Sequence, residues 1–155
     1  MFGGNFLDGI MGPRAPIDSA EFQLVVEAAG FEVWDLYEFP ENPCDPEDAC
    51  DVCIFLDDAT SLLFFAQGEA GYWFEFAEFH DTREAIHQFN HRQRNAEDFR
   101  QGASAHREVN LGNYSRFQQT SGGIYIHILR VDNVLIYVEA LQEHRNEIRE
   151  IMNQF

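Results

Sequence analysis

Apolar and polar positions along the chain fall into short segments of two different periods. Phe22, Val25, Val26 and Ala29 recur at three- and four-residue spacing, which predicts a helix with one buried face. Asp18 or Ser19 stands where an N-cap belongs, Glu21 falls in the first turn, and Gly30 follows the last periodic residue as a C-cap does. Over 31–39 the period becomes two: Phe31, Val33 and Asp35 on one side, Trp34 and Leu36 on the other, which predicts a strand. Pro40, Pro43 and Pro46 then sit among acids, so 40–51 reads as a loop. Short strands follow at 52–56 and 61–66 around an Asp57-Asp58-Ala59-Thr60 turn. A further strand covers 72–79, with Tyr72, Phe74 and Phe76 on one face.

The second half repeats this alternation. Asp81 or Thr82 caps a helix that runs to about Arg100 and buries Ala85, Phe89, Ala96 and Phe99, with Gly102 after its end. A polar stretch leads to a strand near 114–119, and Gly122-Gly123 to one at 124–130. Asp132-Asn133 forms a tight turn into a strand at 134–139. A last amphipathic helix over 141–152 buries Leu141, Ile148, Ile151 and Met152.

Helix, strands, helix, strands, helix joined by short turns means antiparallel pairing. The expected fold is therefore α+β: an antiparallel sheet of about five to seven strands with the helices packed on it. Residues 1–17 hold Gly3, Gly4, Gly9, Gly12, Pro13 and Pro16 and are expected as a flexible tail, with a single domain over 18–155. A strand running straight into a helix occurs at 72–79 and again at 134–139, a faint sign of internal duplication. The start of the chain has no basic cluster followed by an apolar run, and no run approaches 18 apolar residues. Neither a signal peptide nor a membrane span is expected, and a cytoplasmic location follows.

Three segments carry a resemblance. They are Gly30-Phe31-Glu32-Val33 after an amphipathic helix, Tyr72-Trp73-Phe74-Glu75-Phe76-Ala77-Glu78-Phe79 before a helix, and the hairpin Arg130-Val131-Asp132-Asn133-Val134-Leu135-Ile136-Tyr137 before the last helix. Together, over roughly 19–155, they resemble a group of small proteins of clostridia and relatives, some of them exported lipoproteins. The resemblance implies one α+β domain. It implies no activity and no site residues.

Charge changes the picture. The formal net charge is −17, and all 10 bases are Arg. Residues 1–82 hold 18 acids and only Arg14, whereas residues 83–155 hold nine acids and nine bases, so the whole excess lies in the first half. Such a field repels nucleic acid and favours a basic protein or a cation as partner. Arg92, Arg94, Arg100 and Arg107 cluster around the second helix, where pairing with the acidic half is their simplest use. The same charge split allows two chains to associate head to tail as a homodimer. Trp34, Trp73 and the many Phe are candidates for an exposed protein-binding patch. Without lysine, Schiff-base and P-loop chemistry are excluded.

Candidate chemistry is sparse. Cys44, Cys50 and Cys53 form C-x5-C-x2-C, a thiolate set for zinc with Asp45, Asp51 or His80 as fourth ligand, although the second half of a two-pair zinc motif is missing. Asp45, Glu47, Asp48 and Asp51 surround the Cys50–Cys53 pair and disfavour a redox thiolate. The same acids offer oxygens to a hard cation, but no calcium-loop pattern accompanies them. Glu84, His87 and His91 share a helix face that is expected in water. Ser104 and His106 sit in a loop without the nucleophile-elbow pattern. His127, mid-strand, reads first as a core histidine with a hydrogen-bond partner.

Three functional readings follow: a non-enzymatic binding module with an acidic contact surface, a zinc protein using Cys44, Cys50 and Cys53, and a small enzyme with a carboxylate/His127 pocket.

Overall fold

The computed structural model describes residues 14–34, 59–66, 70–102 and 104–155. Its helices are α1 (Ser19–Ala28), α2 (Thr82–Asp98) and α3 (Arg145–Met152). Its strands are β1 (Glu32–Trp34), β2 (Ala59–Ala66), β3 (Trp73–Phe79), β4 (Ala105–Leu111), β5 (Tyr114–Ser121), β6 (Ile124–Val131) and β7 (Val134–Leu141). All seven strands form one sheet in the order β1-β2-β3-β7-β6-β5-β4, and every neighbouring pair is antiparallel. The α+β class and the antiparallel sheet agree with the hydrophobic pattern. Among the described residues no helix is long and apolar enough to cross a membrane.

Local chemistry accounts for the element ends. The Asp18 carboxylate accepts from the Ala20 N–H at 2.7 Å, and the Asp81 carboxylate accepts from the Glu84 N–H at 2.9 Å, each satisfying a helix-end donor. Asp81 stays below the usual carboxylate range, chiefly through that backbone bond. Two-residue turns join β5 to β6 and β6 to β7. At the first, Gly122 and Gly123 take φ of 58° and 79°, a left-handed pair that side chains disfavour.

The sheet has a core on each face. On one face Phe74 and Phe76 of β3, Leu129 and Val131 of β6 and Ile136 and Val138 of β7 meet Phe22 and Val26 of α1 and Ile148, Ile151 and Met152 of α3. Phe22 and Phe74 pack edge-on at 6.1 Å, and Phe31 and Phe74 at 5.1 Å. On the other face Ala77, Phe79, Phe117, Ile128 and Leu135 meet Ala85, Phe89 and Ala96 of α2. Burial of each large side chain here contributes roughly 1.5–3 kcal/mol.

A buried ion pair ties α2 to its face. Arg92 Nη2 lies 2.8 Å from Glu75 Oε2, with both side chains more than 90% buried, and the guanidinium stacks 4.2 Å over the Tyr137 ring. Arg92 therefore does pair with the acidic half, but in the core and not on the surface.

Several expectations are corrected. The polar stretch before 114 is a seven-residue strand, β4, which shows no alternation because nearly all its side chains are exposed. The last helix begins at Arg145: β7 continues to Leu141, opposite Ile124, and a 3-10 turn at Gln142–His144 intervenes. Leu141 is consequently 56% exposed, and Phe99, at the C-cap of α2, is 77% exposed and not part of the buried stripe. Ala59 and Thr60, expected in a turn, belong to β2 at a register shift against β3. Residues 14–17, counted with the tail, pack on the domain: Ile17 is buried, and the Arg14 N–H and carbonyl bond to the Asn113 side chain. The duplication is topological only. A rotation exchanging the antiparallel neighbours β3 and β7 keeps their following helices on one face, whereas α2 and α3 lie on opposite faces. The strand expected at 52–56 and the loop at 40–51 lie outside the described residues.

Candidate functional site

The alternation of β4, β5 and β6 places one set of polar side chains on the α3 face. Cα partners run Arg107↔Gln118↔His127 and Ala105↔Thr120↔Tyr125 across the three strands. Helix α3 docks there through Ile148, Ile151 and Met152. Arg145 and Arg149, four residues apart, therefore share one side of the helix. They meet Arg107, His106, Gln118 and Tyr125 around a hollow of about 190 Å³.

The charge of this hollow is uniform. Among the described residues three guanidinium groups line it and no carboxylate does. The side-chain ion pairs among the described residues join Arg83 to Asp81, Arg92 to Glu75, Arg100 to Glu97 and His144 to Glu143. None involves Arg107, Arg145 or Arg149. Arg94, Arg116 and Arg130 also lack a carboxylate partner, but they donate to backbone or neutral side-chain oxygens, whereas among the described residues Arg107, Arg145 and Arg149 have neither kind of partner.

The floor of the hollow is a short polar relay. The Tyr125 hydroxyl lies 3.1 Å from Gln118 Oε1 and 3.0 Å from His127 Nδ1. Donation by Tyr125 to Gln118 leaves its oxygen to accept from a protonated His127 Nδ1, a proton order assigned from this geometry. His127 is 0% exposed, and its Nε2 has no hydrogen-bond partner. Burial holds its pKa well below 6.5, and the Arg116 and Arg149 charges push it further down, so the imidazole is neutral. Burial also pushes the Tyr125 hydroxyl up to about 12, partly offset by the nearby arginines. Arg116 is committed elsewhere: it donates to the Asn153 side chain at 2.6 Å and the Met152 carbonyl at 3.0 Å, fixing the end of α3.

This arrangement suits holding an anion. An uncharged, sealed histidine serves poorly as a base for an outside substrate, and it sits under Tyr125 as support. His127 bonds to Tyr125, and no carboxylate pairs with it among the described residues. Guanidinium groups grip carboxylate or phosphate oxygens in pairs, which gives both charge and direction.

The other sequence candidates scatter. Cys44, Cys50 and Cys53 lie outside the described residues. Glu84 and His91 are half-buried and His87 is exposed, with His91 Nε2 3.3 Å from Asn95 Nδ2. Among the described residues no three His, Cys, Asp or Glu side chains gather as a metal site. Ser104 is exposed, while His106 lies on β4 and lines the hollow. Arg94 donates to the Asn90 carbonyl and Arg100 to Gln119. Of the four arginines singled out by position, only Arg107 reaches the hollow. Trp73 is 43% exposed. Sequence reasoning missed Arg145, Arg149 and Tyr125. The available signal was the four-residue spacing of the two arginines on a helix whose other side is apolar. A larger hollow, about 600 Å³, has Arg14, Ile17, Arg116 and Phe155 in its wall, but Arg14 there donates to the Phe155 carbonyl and stacks over Tyr114.

Compared with protein-family profiles, curated proteins and solved structures, the chain matches none.

Proposed function

We propose that this chain is a non-enzymatic binding module whose contacts are ionic. One observation carries the reading: Arg107, Arg145 and Arg149 line a hollow in which, among the described residues, no carboxylate neutralises them. The ligand is an anion bearing carboxylate or phosphate groups. The net negative charge of the chain does not oppose this at short range, because salt at about 0.15 M screens charges beyond roughly 8 Å. It does oppose a long polyanion, whose many phosphates would face the acidic half. That half remains the proposed contact for a basic protein or a cation, although most of its acids lie outside the described residues.

Isothermal titration with citrate, against the wild type and an Arg145→Glu/Arg149→Glu variant, tests the reading. Saturable binding that weakens at least about tenfold in the variant and falls with added salt is expected. Equal heats for both proteins would refute it.

A further inference from the structure

Among the described residues strand β4 ends the sheet, paired with β5 along one side over Ala105–Leu111. Every second residue of an edge strand turns its N–H and C=O outward. Edges are normally blunted by proline, by bulges, by brevity, by charged side chains or by a covering segment, and of these β4 has, among the described residues, only the charges of Arg107 and Glu108. Strand β4 has seven residues, no proline and an unbroken register with β5. Its side chains are nearly all exposed, so none of the described core covers it. Val109 is the one β4 side chain packed against a described core, and the backbone ladder to β5 is the strand's main attachment.

The edge also borders the hollow, since Ala105, His106 and Arg107 belong to both. A strand added outside β4 would lie about 4.8 Å away. Every second side chain of that strand would point to the same face as Arg107, with Arg145 and Arg149 beyond it across the hollow. Extended chains that add to an open edge gain affinity from backbone bonds and specificity from alternate side chains.

We propose that β4 and the arginine-lined hollow together take an extended acidic segment of a partner protein as an eighth strand, with carboxylates at alternate positions. This rests on reading the hollow as an anion site. The backbone bonds fix the register, and the arginines select acidic side chains.

The test uses the full chain and three probes. One is a capped peptide of alternating glutamate and threonine, about eight residues long to match β4. The second is the same peptide N-methylated along its backbone, which keeps the charge and cannot join a sheet. The third is citrate. The unmodified peptide is expected to bind at least about tenfold tighter than the methylated one. It is expected to slow amide exchange across Ala105–Leu111 and to lose affinity in the Arg145→Glu/Arg149→Glu variant. Circular dichroism of the variant confirms that it is folded. Equal affinity for the two peptides would overturn the added strand; if both peptides still weaken in the variant, the anion site survives that result. Sedimentation showing that the free protein already dimerises through protected β4 amides would also overturn it, because a second copy would then fill the edge. No binding of citrate or either peptide would remove both readings.

Discussion

Two groups of arginines, one on each face of the sheet, are handled in opposite ways. Under α2, Arg92 is sealed in the core, 2.8 Å from Glu75 and stacked on Tyr137. Beside α3, Arg107, Arg145 and Arg149 line an open hollow with no carboxylate among the described residues. A buried charge must find its partner inside the chain, because water cannot serve it. A charge at the rim of a hollow has no such requirement and remains open to an outside partner. The first arrangement therefore reads as architecture and the second as recognition, although both use the same side chain.

Variants can break this comparison on either side. The largest effect is expected from Glu75→Leu, which leaves Arg92 buried with its counter-charge removed. Urea unfolding is expected to show a loss of about 3 kcal/mol or more. A result below about 1 kcal/mol would mean that the α2 pair is not structural.

The next effect belongs to His127. Its folded pKa lies well below 6.5, so the unfolded chain binds the extra proton. The stability that comes from keeping it neutral is complete above pH 6.5 and falls as the pH drops below that value. His127→Phe is expected to flatten the decline in unfolding midpoint measured between pH 7 and pH 5. A decline of unchanged slope would assign it to other groups.

A smaller effect is expected from Arg145→Glu/Arg149→Glu. Arg149 is exposed and Arg145 half-buried, and neither has a structural partner among the described residues, so stability should change by no more than about 0.5 kcal/mol per site. A loss of several kcal/mol would make these arginines structural, like Arg92. Smallest of all is Phe99→Ser: the side chain is 77% exposed, so thermal unfolding should move by about a degree or less.

The fold was legible where local chemistry and burial agree. Asp18 and Asp81, each one of two candidates at its helix, are the caps, and Gly122-Gly123 turns the chain as glycine pairs do. Strands β3 and β7 read as apolar because both of their sides meet a core: Phe74, Ile136 and Val138 face one, Ala77, Phe79 and Leu135 the other. Strand β4 was illegible because its side chains remain in water, so no period marks it. The start of α3 was misplaced because Leu141, apolar yet exposed, fits either period. The hollow was illegible for a different reason. Arg107 comes from β4 and Arg145 from α3, and their meeting depends on the strand order β7-β6-β5-β4, which no local pattern encodes. His127 was legible as a core histidine with a partner, since a lone imidazole among apolar neighbours is normally buried and bonded.

The most direct measurement follows the arginine side-chain Nε–H resonances while inorganic phosphate is added at constant ionic strength. The account predicts saturable shifts at Arg107, Arg145 and Arg149 and none at Arg92. Shifts spread evenly over all arginines, or absent from those three, would contradict it.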